Sequence, residues 1–233
     1  IPLSIIAGIM GAAQIAVIAS QPLPEYAKGG LTDGAKMYIA GEAGQTTNYE
    51  NALAAMQVHF VTSLQVKDVD EYDGLLLPGG GDVDPKLFGQ LLIPETEIRQ
   101  YSRWEQQLIR KGQEKLTPEL DRIQLAILKA FCQYRKPVFG ICKGMQLINI
   151  AFGGDMLRHL PTAVHHAYRE KDQMHPARNE VNSFLYEVYG SDMLVNSAHH
   201  QGVGIPGRGI RYVQYAPDGV VEGLQHEFLP VYG

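Results

Sequence analysis

The stretch KPVFGICKGMQ, residues 136–146, decides the fold. It begins as an apolar run, passes through glycine, cysteine and a second glycine, and continues in a helix-like pattern. A residue held on a sharp turn between a strand and a helix needs small neighbours two positions before and after it, because the backbone folds back tightly there. Gly140 and Gly144 fill both positions. Cys142 is therefore predicted to lie on a strand-to-helix turn with a strained backbone.

The predicted place of Cys142 suits a nucleophile. At the start of a helix, the helix dipole and the free backbone N–H groups favour the thiolate over the thiol. The alternative is a buried, inert cysteine. The glycine spacing after a buried strand favours the nucleophile. Cys132 lies within an amphipathic helical pattern without such a turn, so a structural role is predicted for it.

Apolar strands that run into glycine-rich turns alternate with helical patterns along the chain. Strands are predicted at residues 15–19, 74–77 and 137–141, and helices at residues 48–56 and 119–134. This alternation is typical of an α/β fold with a mostly parallel central sheet flanked by helices. A single domain over residues 1–233 is expected, since this length suffices for one large core.

Two regions depart from the simple alternation. Residues 86–117 are polar and contain Trp104, the only tryptophan, and they are predicted to form an excursion near the mouth of the site, with a helix around residues 103–115. The last third predicts a mixed or antiparallel extension of the sheet, with a tight turn at residues 217–219. Its short segments are residues 180–188, 193–196, 210–215 and 220–223.

Composition excludes several classes of protein. The formal charge is −5 and charged residues make up 19%, so neither a disordered tail nor a nucleic-acid-binding surface is expected. The two cysteines have no metal-ligand spacing, which disfavours a disulfide framework and a structural zinc and favours the cytosol. The first 20 residues are apolar but lack the basic flank of a signal peptide. A buried strand over residues 14–20 is preferred to a membrane segment.

The glycine run in LLLPGGGDVDP, residues 75–85, is a second candidate site. Gly79, Gly80 and Gly81 follow a buried strand and let backbone N–H groups approach an anion or an oxyanion closely. The run lacks the Lys-Ser/Thr pair of a phosphate-binding loop. An ordinary turn remains the alternative at this point.

The stretch NSAHHQ, residues 196–201, is a third candidate. Adjacent histidines in a short polar segment could supply a base, bind substrate, or form a solvated turn. No metal is expected, because neither a carboxylate nor a cysteine pattern lies nearby in the sequence. His165, His166 and His175 carry the same ambiguity, and a plain surface role is favoured for them.

Together these motifs resemble the γ-glutamyl hydrolase branch of the class I glutamine amidotransferase-like superfamily. The strand-to-helix turn at residues 140–144, called the elbow below, occurs in that family's order and approximate spacing together with the glycine run and the His-His-Gln block. The same holds for Gly153-Gly154 and for DGVVE at residues 218–222. The match covers about residues 74–223 and looks closest to the γ-glutamyl-γ-aminobutyrate hydrolases. The resemblance implies the flavodoxin-like fold of that superfamily, with a nucleophile elbow.

The resemblance also implies a role for each matched residue. Cys142 would attack the carbonyl of a small γ-glutamyl amide and form a γ-glutamyl thioester that water hydrolyses. The backbone N–H of Lys143 and one from Gly79, Gly80 or Gly81 would hold the oxyanion, with no role for the Lys143 side chain. The glutamyl pocket would be lined by Gln146, His199, His200 and Gln201. Neither a cofactor nor a metal is implied, and a homodimer is left open.

One part of the family pattern is missing from the sequence. The family takes its general base from a His-Pro-Glu segment that follows the Val-Val-Glu stretch, and the sequence given stops at Gly233, about where that segment would begin. Either a C-terminal catalytic segment is absent from it, which is favoured, or the chain lacks the dyad. In the second case His199 or His200 would act as the base, or the site would be inactive. His226, next to Glu227, is a weak substitute.

Other functions stay open at this level. A glutaminase that delivers ammonia to a partner synthetase is the main alternative, and a non-catalytic binding homologue is another. The His-His-Gln block and the excursion at residues 86–117 favour a stand-alone hydrolase. The sequence does not identify the amine that leaves.

Overall fold

A computed structural model of the protein describes residues 34–233. The strand predicted at residues 15–19 lies outside this range. The described strands are β1 (Lys36–Ala40), β2 (His59–Ser63), β3 (Gly74–Leu77), β4 (Val138–Gly140), β5 (Met156–Leu157), β6 (Gln173–Asn179), β7 (Asp192–Ser197), β8 (Gly202–Val203), β9 (Ile210–Tyr215), β10 (Val221–His226) and β11 (Val231–Tyr232). The described helices are α1 (Thr47–Ala55), α2 (Glu95–Ile98), α3 (Arg103–Glu114), α4 (Pro118–Gln133), α5 (Lys143–Ala151) and α6 (Phe184–Tyr189).

Nine strands form one sheet in the order β2-β1-β3-β4-β11-β10-β9-β6-β7. The first five strands in this order run parallel to one another. The remaining four are joined by antiparallel pairs. The predicted α/β fold with its antiparallel extension is confirmed, and β11, a late strand in the chain, joins the two halves.

The parallel half holds the core because its central strands are buried on both faces. Every residue of β3 and β4 is buried. The apolar face of α4 covers them on one side, where Phe131 packs against the rings of Tyr38 and Tyr72. Such fully buried runs are why the sequence predicted β3, β4 and α4 correctly.

The longer strands β1, β2 and β6 have no counterpart in the sequence-based prediction, and neither do the two-residue strands β5 and β8. β2 is only half-buried, so it lacks a continuous apolar run. β6 contains Pro176, a residue that argues against a strand in the interior of a sheet. It is tolerated because β6 pairs with β9 only through Arg178 and Asn179 at its end.

One segment of the predicted extension is helical instead. Within residues 180–188 the chain forms α6, whose first turn is capped by Ser183 accepting the N–H of Tyr186 at 3.1 Å. This capping serine and the apolar face with Phe184 and Leu185 favour helix over strand. The other three segments are confirmed as β7, β9 and β10.

No helix within residues 34–233 is both long enough and apolar enough to span a bilayer.

Candidate active site

Cys142 lies between the end of β4 and the first residue of α5, with φ 53° and ψ −109°. Non-glycine residues rarely adopt this conformation, and it occurs mostly at functional sites. The flanking glycines are required by contact distances. A Cβ on Gly140 would lie 2.5 Å from the carbonyl carbon of Gly144, and a Cβ on Gly144 would collide with the carbonyl oxygen of Leu77. The predicted strained strand-to-helix turn is confirmed.

The glycine run faces Cys142, as predicted. A Cβ on Gly79 would lie 3.4 Å from Cys142 Cβ. The backbone N–H groups of Gly80 and Lys143 lie near enough to the Cys142 sulfur to lower the pKa of its thiol. The N–H of Gly79 is already used, because it donates to the Tyr49 hydroxyl at 2.9 Å. Gly80 and Lys143 therefore supply the two donors that could hold an oxyanion beside the sulfur.

The ionisation of Cys142 is set by opposing effects. The side chain is exposed to a cavity, but the protein atoms around it displace bulk water, and this desolvation raises the pKa of the thiol. The N–H groups of Lys143 and Gly80 lower the pKa, in the direction expected at a helix start, but by less. The helix start thus favours the thiolate, as predicted, but the effect of burial on the pKa outweighs it. A base is needed to remove the proton.

The side chain of Lys143 has a role that the sequence did not reveal. It is 2% exposed and pairs with the carboxylate of Asp121, which is fully buried on α4. The other oxygen of Asp121 accepts the N–H of Asp84 at 3.0 Å, just after the glycine run. One buried ion pair thus fixes the elbow, α4 and the glycine run together. One feature of the sequence could have indicated this pair, since Asp121 lies among the apolar positions of a strongly amphipathic helix.

A cavity of about 460 Å³ opens over Cys142. Its volume falls in the range typical of small-molecule sites. The lining combines both halves of the sheet, and it includes four candidates from the sequence. These are Cys142, Gln146, His199 and Gln201. The carboxylate of Glu222 and the backbone of Gly233 also reach it.

His200 is not part of this lining, which corrects its expected place in the glutamyl pocket. Its Nε2 lies 2.9 Å from Asp82 Oδ2, and its Nδ1 lies 3.0 Å from Nδ1 of His159. His159 in turn contacts Glu105 of α3. His200 therefore holds the glycine run against the helix of the excursion.

The excursion at residues 86–117 lies beside the glycine run, and its place near the mouth of the site stays a prediction. None of the residues that line the cavity comes from it. It packs behind the glycine run, where a Cβ on Gly112 would lie 3.2 Å from His200 Nε2. Its predicted helix is confirmed as α3, with a capping box formed by Ser102 and Glu105.

The two glutamines differ in how much freedom they have to bind a ligand. Gln201 accepts the N–H of Val83 at 2.8 Å and its amide donates to the carbonyl of Val83 at 3.4 Å, so its side chain braces the glycine run. Gln146 donates to the backbone carbonyl of Gln201 at 3.2 Å and keeps its oxygen for other partners. A substrate contact from Gln146 stays a prediction.

Three histidines surround the carboxylate of Glu222 at one wall of the cavity. Burial disfavours the charged form of Glu222, but the imidazoles of His166, His175 and His199 outweigh it and hold the pKa of the carboxyl well below its usual range. Burial likewise opposes charge on His166, yet Glu222 and Asp218 raise its pKa overall. The surface role expected for His166 and His175 is wrong, because β6, β7 and β10 bring them together with a carboxylate distant in sequence.

No hydrogen bond within residues 34–233 joins an imidazole to the Cys142 sulfur. His226 is not placed to take the proton of Cys142. Its ring packs near Phe152, and its Nδ1 accepts the N–H groups of Phe228 and Leu229. β11 is parallel to β4, so its carboxyl end lies at the same edge of the sheet as Cys142.

Cys132 behaves as the sequence indicates. It lies on α4, within the predicted helix, and is partly buried there. Burial raises the pKa of its thiol to about 11, which makes it a poor nucleophile at neutral pH.

Solved structures share this fold. A glutamine amidotransferase from Thermotoga maritima aligns with a TM-score of 0.57 at 12% identity, covering 85% of this chain and 73% of that one. A glutamine amidotransferase from Methylobacillus flagellatus aligns with a TM-score of 0.54 at 18% identity, over 85% and 68% of the two chains. At these identities the likeness extends to the fold alone.

Curated relatives are similar in sequence as well. The γ-glutamyl-γ-aminobutyrate hydrolase of Escherichia coli O157:H7 is 28% identical over 178 residues, which cover 70% of this chain and 61% of the relative. Protein NtpR of Enterococcus hirae is 28% identical over 166 residues, covering 67% and 62%. The chain thus spans about three fifths of the length of the curated relatives that it matches.

A family profile described as Peptidase C26 matches residues 58–233, the part of the chain that contains the elbow, the glycine run and most of the cavity lining. On this match and the shared fold, the chain belongs to the Peptidase C26 family, within the class I glutamine amidotransferase-like superfamily.

Proposed function

We propose that the protein is a cysteine-dependent hydrolase of small γ-glutamyl amides. The observation that carries the proposal is the geometry at Cys142, whose sulfur lies on a strained elbow and faces two backbone N–H groups, those of Gly80 and Lys143. A nucleophile beside two preorganised donors is the arrangement that acyl transfer requires.

The reaction proceeds in two steps. The Cys142 thiolate attacks the γ-carbonyl carbon, and the N–H groups of Gly80 and Lys143 hold the resulting oxyanion. The C–N bond then breaks, the amine leaves with one proton, and a γ-glutamyl thioester remains on the sulfur. In the second step water adds to the thioester carbonyl, the C–S bond breaks, and glutamate and the free thiol are released.

The strain at Cys142 supports this assignment because it serves a purpose in the chemistry. A regular helix start would direct the side chain along the helix. At φ 53° the sulfur instead faces the cavity, between the glycine run and the elbow glycines Gly140 and Gly144. Such strain persists only where the surrounding structure enforces it. Here the close contacts at Gly140 and Gly144 and the buried Lys143–Asp121 pair enforce it.

A glutaminase that delivers ammonia to a partner synthetase is the second candidate. Both reactions use the same thioester, and they differ in the amine that leaves. Ammonia release from glutamine that requires a second protein would identify the glutaminase. Turnover of γ-glutamyl-γ-aminobutyrate or a γ-glutamyl anilide by this protein alone identifies the hydrolase.

The test compares the unmodified protein with Cys142→Ser. The thiol is the nucleophile, so the serine variant is expected to lose γ-glutamyl amide turnover by at least about a thousandfold. Mass spectrometry of the acid-quenched unmodified protein is expected to show a γ-glutamyl adduct on Cys142. Cys132→Ser serves as the matched control and is expected to retain turnover, because this thiol lies on α4 away from the cavity. Equal turnover in Cys142→Ser and the unmodified protein would exclude the proposal.

A further inference from the structure

The cluster around Glu222 carries an inference that does not depend on the hydrolase proposal. It draws on four parts of the chain: His166 after a short helical turn, His175 on β6, His199 after β7, and Glu222 on β10. Side-chain exposure is 1% for His166, 11% for His175, 17% for His199 and 12% for Glu222. Imidazoles from three separate segments are thus brought to one largely buried carboxylate.

Each imidazole uses its outer nitrogen in a hydrogen bond to an oxygen that can only accept. For His175 this oxygen is the carbonyl of Pro176, at 3.0 Å from Nδ1. For His199 it is the carbonyl of Gln201, at 2.9 Å from Nδ1. Since a carbonyl oxygen accepts and never donates, both Nδ1 atoms must carry the proton. In the neutral rings, Nε2 is then a lone pair.

His166 follows the same rule with its nitrogens exchanged. Its Nε2 lies 2.9 Å from Asp218 Oδ2, an acceptor, so Nε2 carries the proton and Nδ1 is the lone pair. The Ser197 hydroxyl lies 3.3 Å from Nδ1 and can donate to it, which fits this tautomer. A histidine that donates its second N–H to a carboxylate or backbone carbonyl is the usual arrangement behind a metal ligand.

The three lone pairs converge on Glu222. His166 Nδ1 lies 3.1 Å and His175 Nε2 lies 3.5 Å from Oε1, and His199 Nε2 lies 3.3 Å from Oε2. Lone pairs facing carboxylate oxygens repel unless a positive charge lies between them. The buried atoms His175 Nε2 and Glu222 Oε1 indeed make no hydrogen bond within the described residues. The convergence calls for a cation.

We propose that His166, His175, His199 and Glu222 form a binding site for one divalent transition-metal ion of the zinc class. Imidazole nitrogen and carboxylate oxygen are ligands that zinc accepts, in tetrahedral sites with bonds of about 2.0–2.2 Å. Ligand atoms in such a site are about 3.3 Å apart by geometry. The distances from the three nitrogens to Glu222 match this spacing, and the donor atoms of His166, His199 and Glu222 all lie within 4.8 Å of one another.

Charge balance supports the same conclusion. A divalent ion with three neutral imidazoles and the carboxylates of Glu222 and Asp218 has no net charge. The alternative without a metal needs three imidazolium groups beside the same two carboxylates, and the net positive charge that remains costs free energy in a buried site. Asp218 acts as a positioning residue here, because it orients His166 and does not face the proposed ion.

The test uses Co²⁺ as a spectroscopic probe on chelator-stripped protein with Cys142→Ser, so that the cavity thiol cannot bind the ion. We expect one Co²⁺ per chain, with the intense visible bands of low-coordinate cobalt, and displacement by Zn²⁺. Glu222→Gln and His175→Ala are each expected to weaken the affinity for Co²⁺ at least tenfold. X-ray absorption of the loaded protein is expected to show imidazole nitrogens around the ion.

His165→Ala is the matched control, because His165 neighbours His166 in sequence but its side chain is exposed. Its affinity for Co²⁺ is expected to equal that of the Cys142→Ser background. Should a variant in the cluster fail to fold, Asp218→Asn provides a milder change, expected to weaken binding about 10–100-fold through the orientation of His166. Three results would overturn the proposal: no stoichiometric binding, binding unaffected by Glu222→Gln, or binding abolished by His200→Ala, which would move the ion to the His159–His200 pair.

Discussion

At the scale of single residues, the site depends on a cysteine whose surroundings pull its ionisation in two directions. Burial in the cavity raises the pKa of Cys142, and the N–H groups of Lys143 and Gly80 lower it by less. A thiol with a raised pKa is protonated at neutral pH. For the proposed hydrolase, a base must therefore generate the thiolate, and the elbow supplies orientation rather than ionisation.

Alkylation by iodoacetamide tests this ionisation in a Cys132→Ala background. Only the thiolate reacts, so the rate follows its population. We expect the rate at Cys142 to keep rising with pH beyond about 8.5, the ordinary pKa of a cysteine, because the folded-state pKa lies higher. Denatured protein, in which the cavity no longer exists, should show the ordinary value. A plateau at neutral pH in the folded protein would mean that the backbone N–H groups dominate after all.

At the scale of elements, the elbow works because β3, β4 and α5 approach one another within contact distance. Gly144 is the second residue of α5, and a Cβ there would collide with the carbonyl of Leu77 on β3. Gly140, the last residue of β4, lies equally close to Gly144. This close approach was predictable, since small residues two before and two after a nucleophile have few other uses. The Lys143–Asp121 pair across the same junction was not, because nothing in the sequence pairs a lysine with an aspartate 22 positions earlier.

Gly144→Ala measures the cost of this close approach. The added methyl group would meet the carbonyl and side chain of Leu77, so α5 must move away from β3. We expect the free energy of unfolding to fall by about 1–3 kcal/mol, as is typical of overpacking. Gly81→Ala is the matched control. A Cβ at Gly81 has no heavy atom within 4 Å, so urea unfolding of this variant should match the unmodified protein or show a slight gain in stability.

At the scale of the whole molecule, the cavity lies where the two halves of the sheet meet. The parallel half contributes Phe139 and Cys142, and the antiparallel half contributes His199 and Glu222. The sequence predicted β3 and β4, the central strands of the parallel half, from continuous apolar runs. It failed on the histidine cluster because its members come from strands that are half-buried and paired across long sequence separations. A search for a carboxylate near His199 in sequence cannot find Glu222, which is 23 positions away.

The position of β11 beside β4 predicts where a general base would reach Cys142. β11 runs parallel to β4 beside it, and Gly233 lines the cavity at the edge that holds Cys142. Residues placed directly after Gly233 would emerge beside the sulfur. A histidine in a His-Pro-Glu segment at that point could take the thiol proton, give it to the leaving amine, and then activate water, so that one group serves each proton transfer.

The prediction compares γ-glutamyl amide turnover by the chain ending at Gly233 with that of a chain continuing into His-Pro-Glu. General-base catalysis contributes about 10²–10⁴ in rate, so the longer chain is expected to exceed the shorter by that factor. Replacing its added histidine with alanine should remove the gain, and Cys142→Ala should abolish turnover in both chains. His199→Ala should mainly weaken substrate binding, because the His199 nitrogens face Gln201 and Glu222 rather than the sulfur. Full turnover by the chain ending at Gly233, lost in His199→Ala, would instead place the base in the His-His-Gln block.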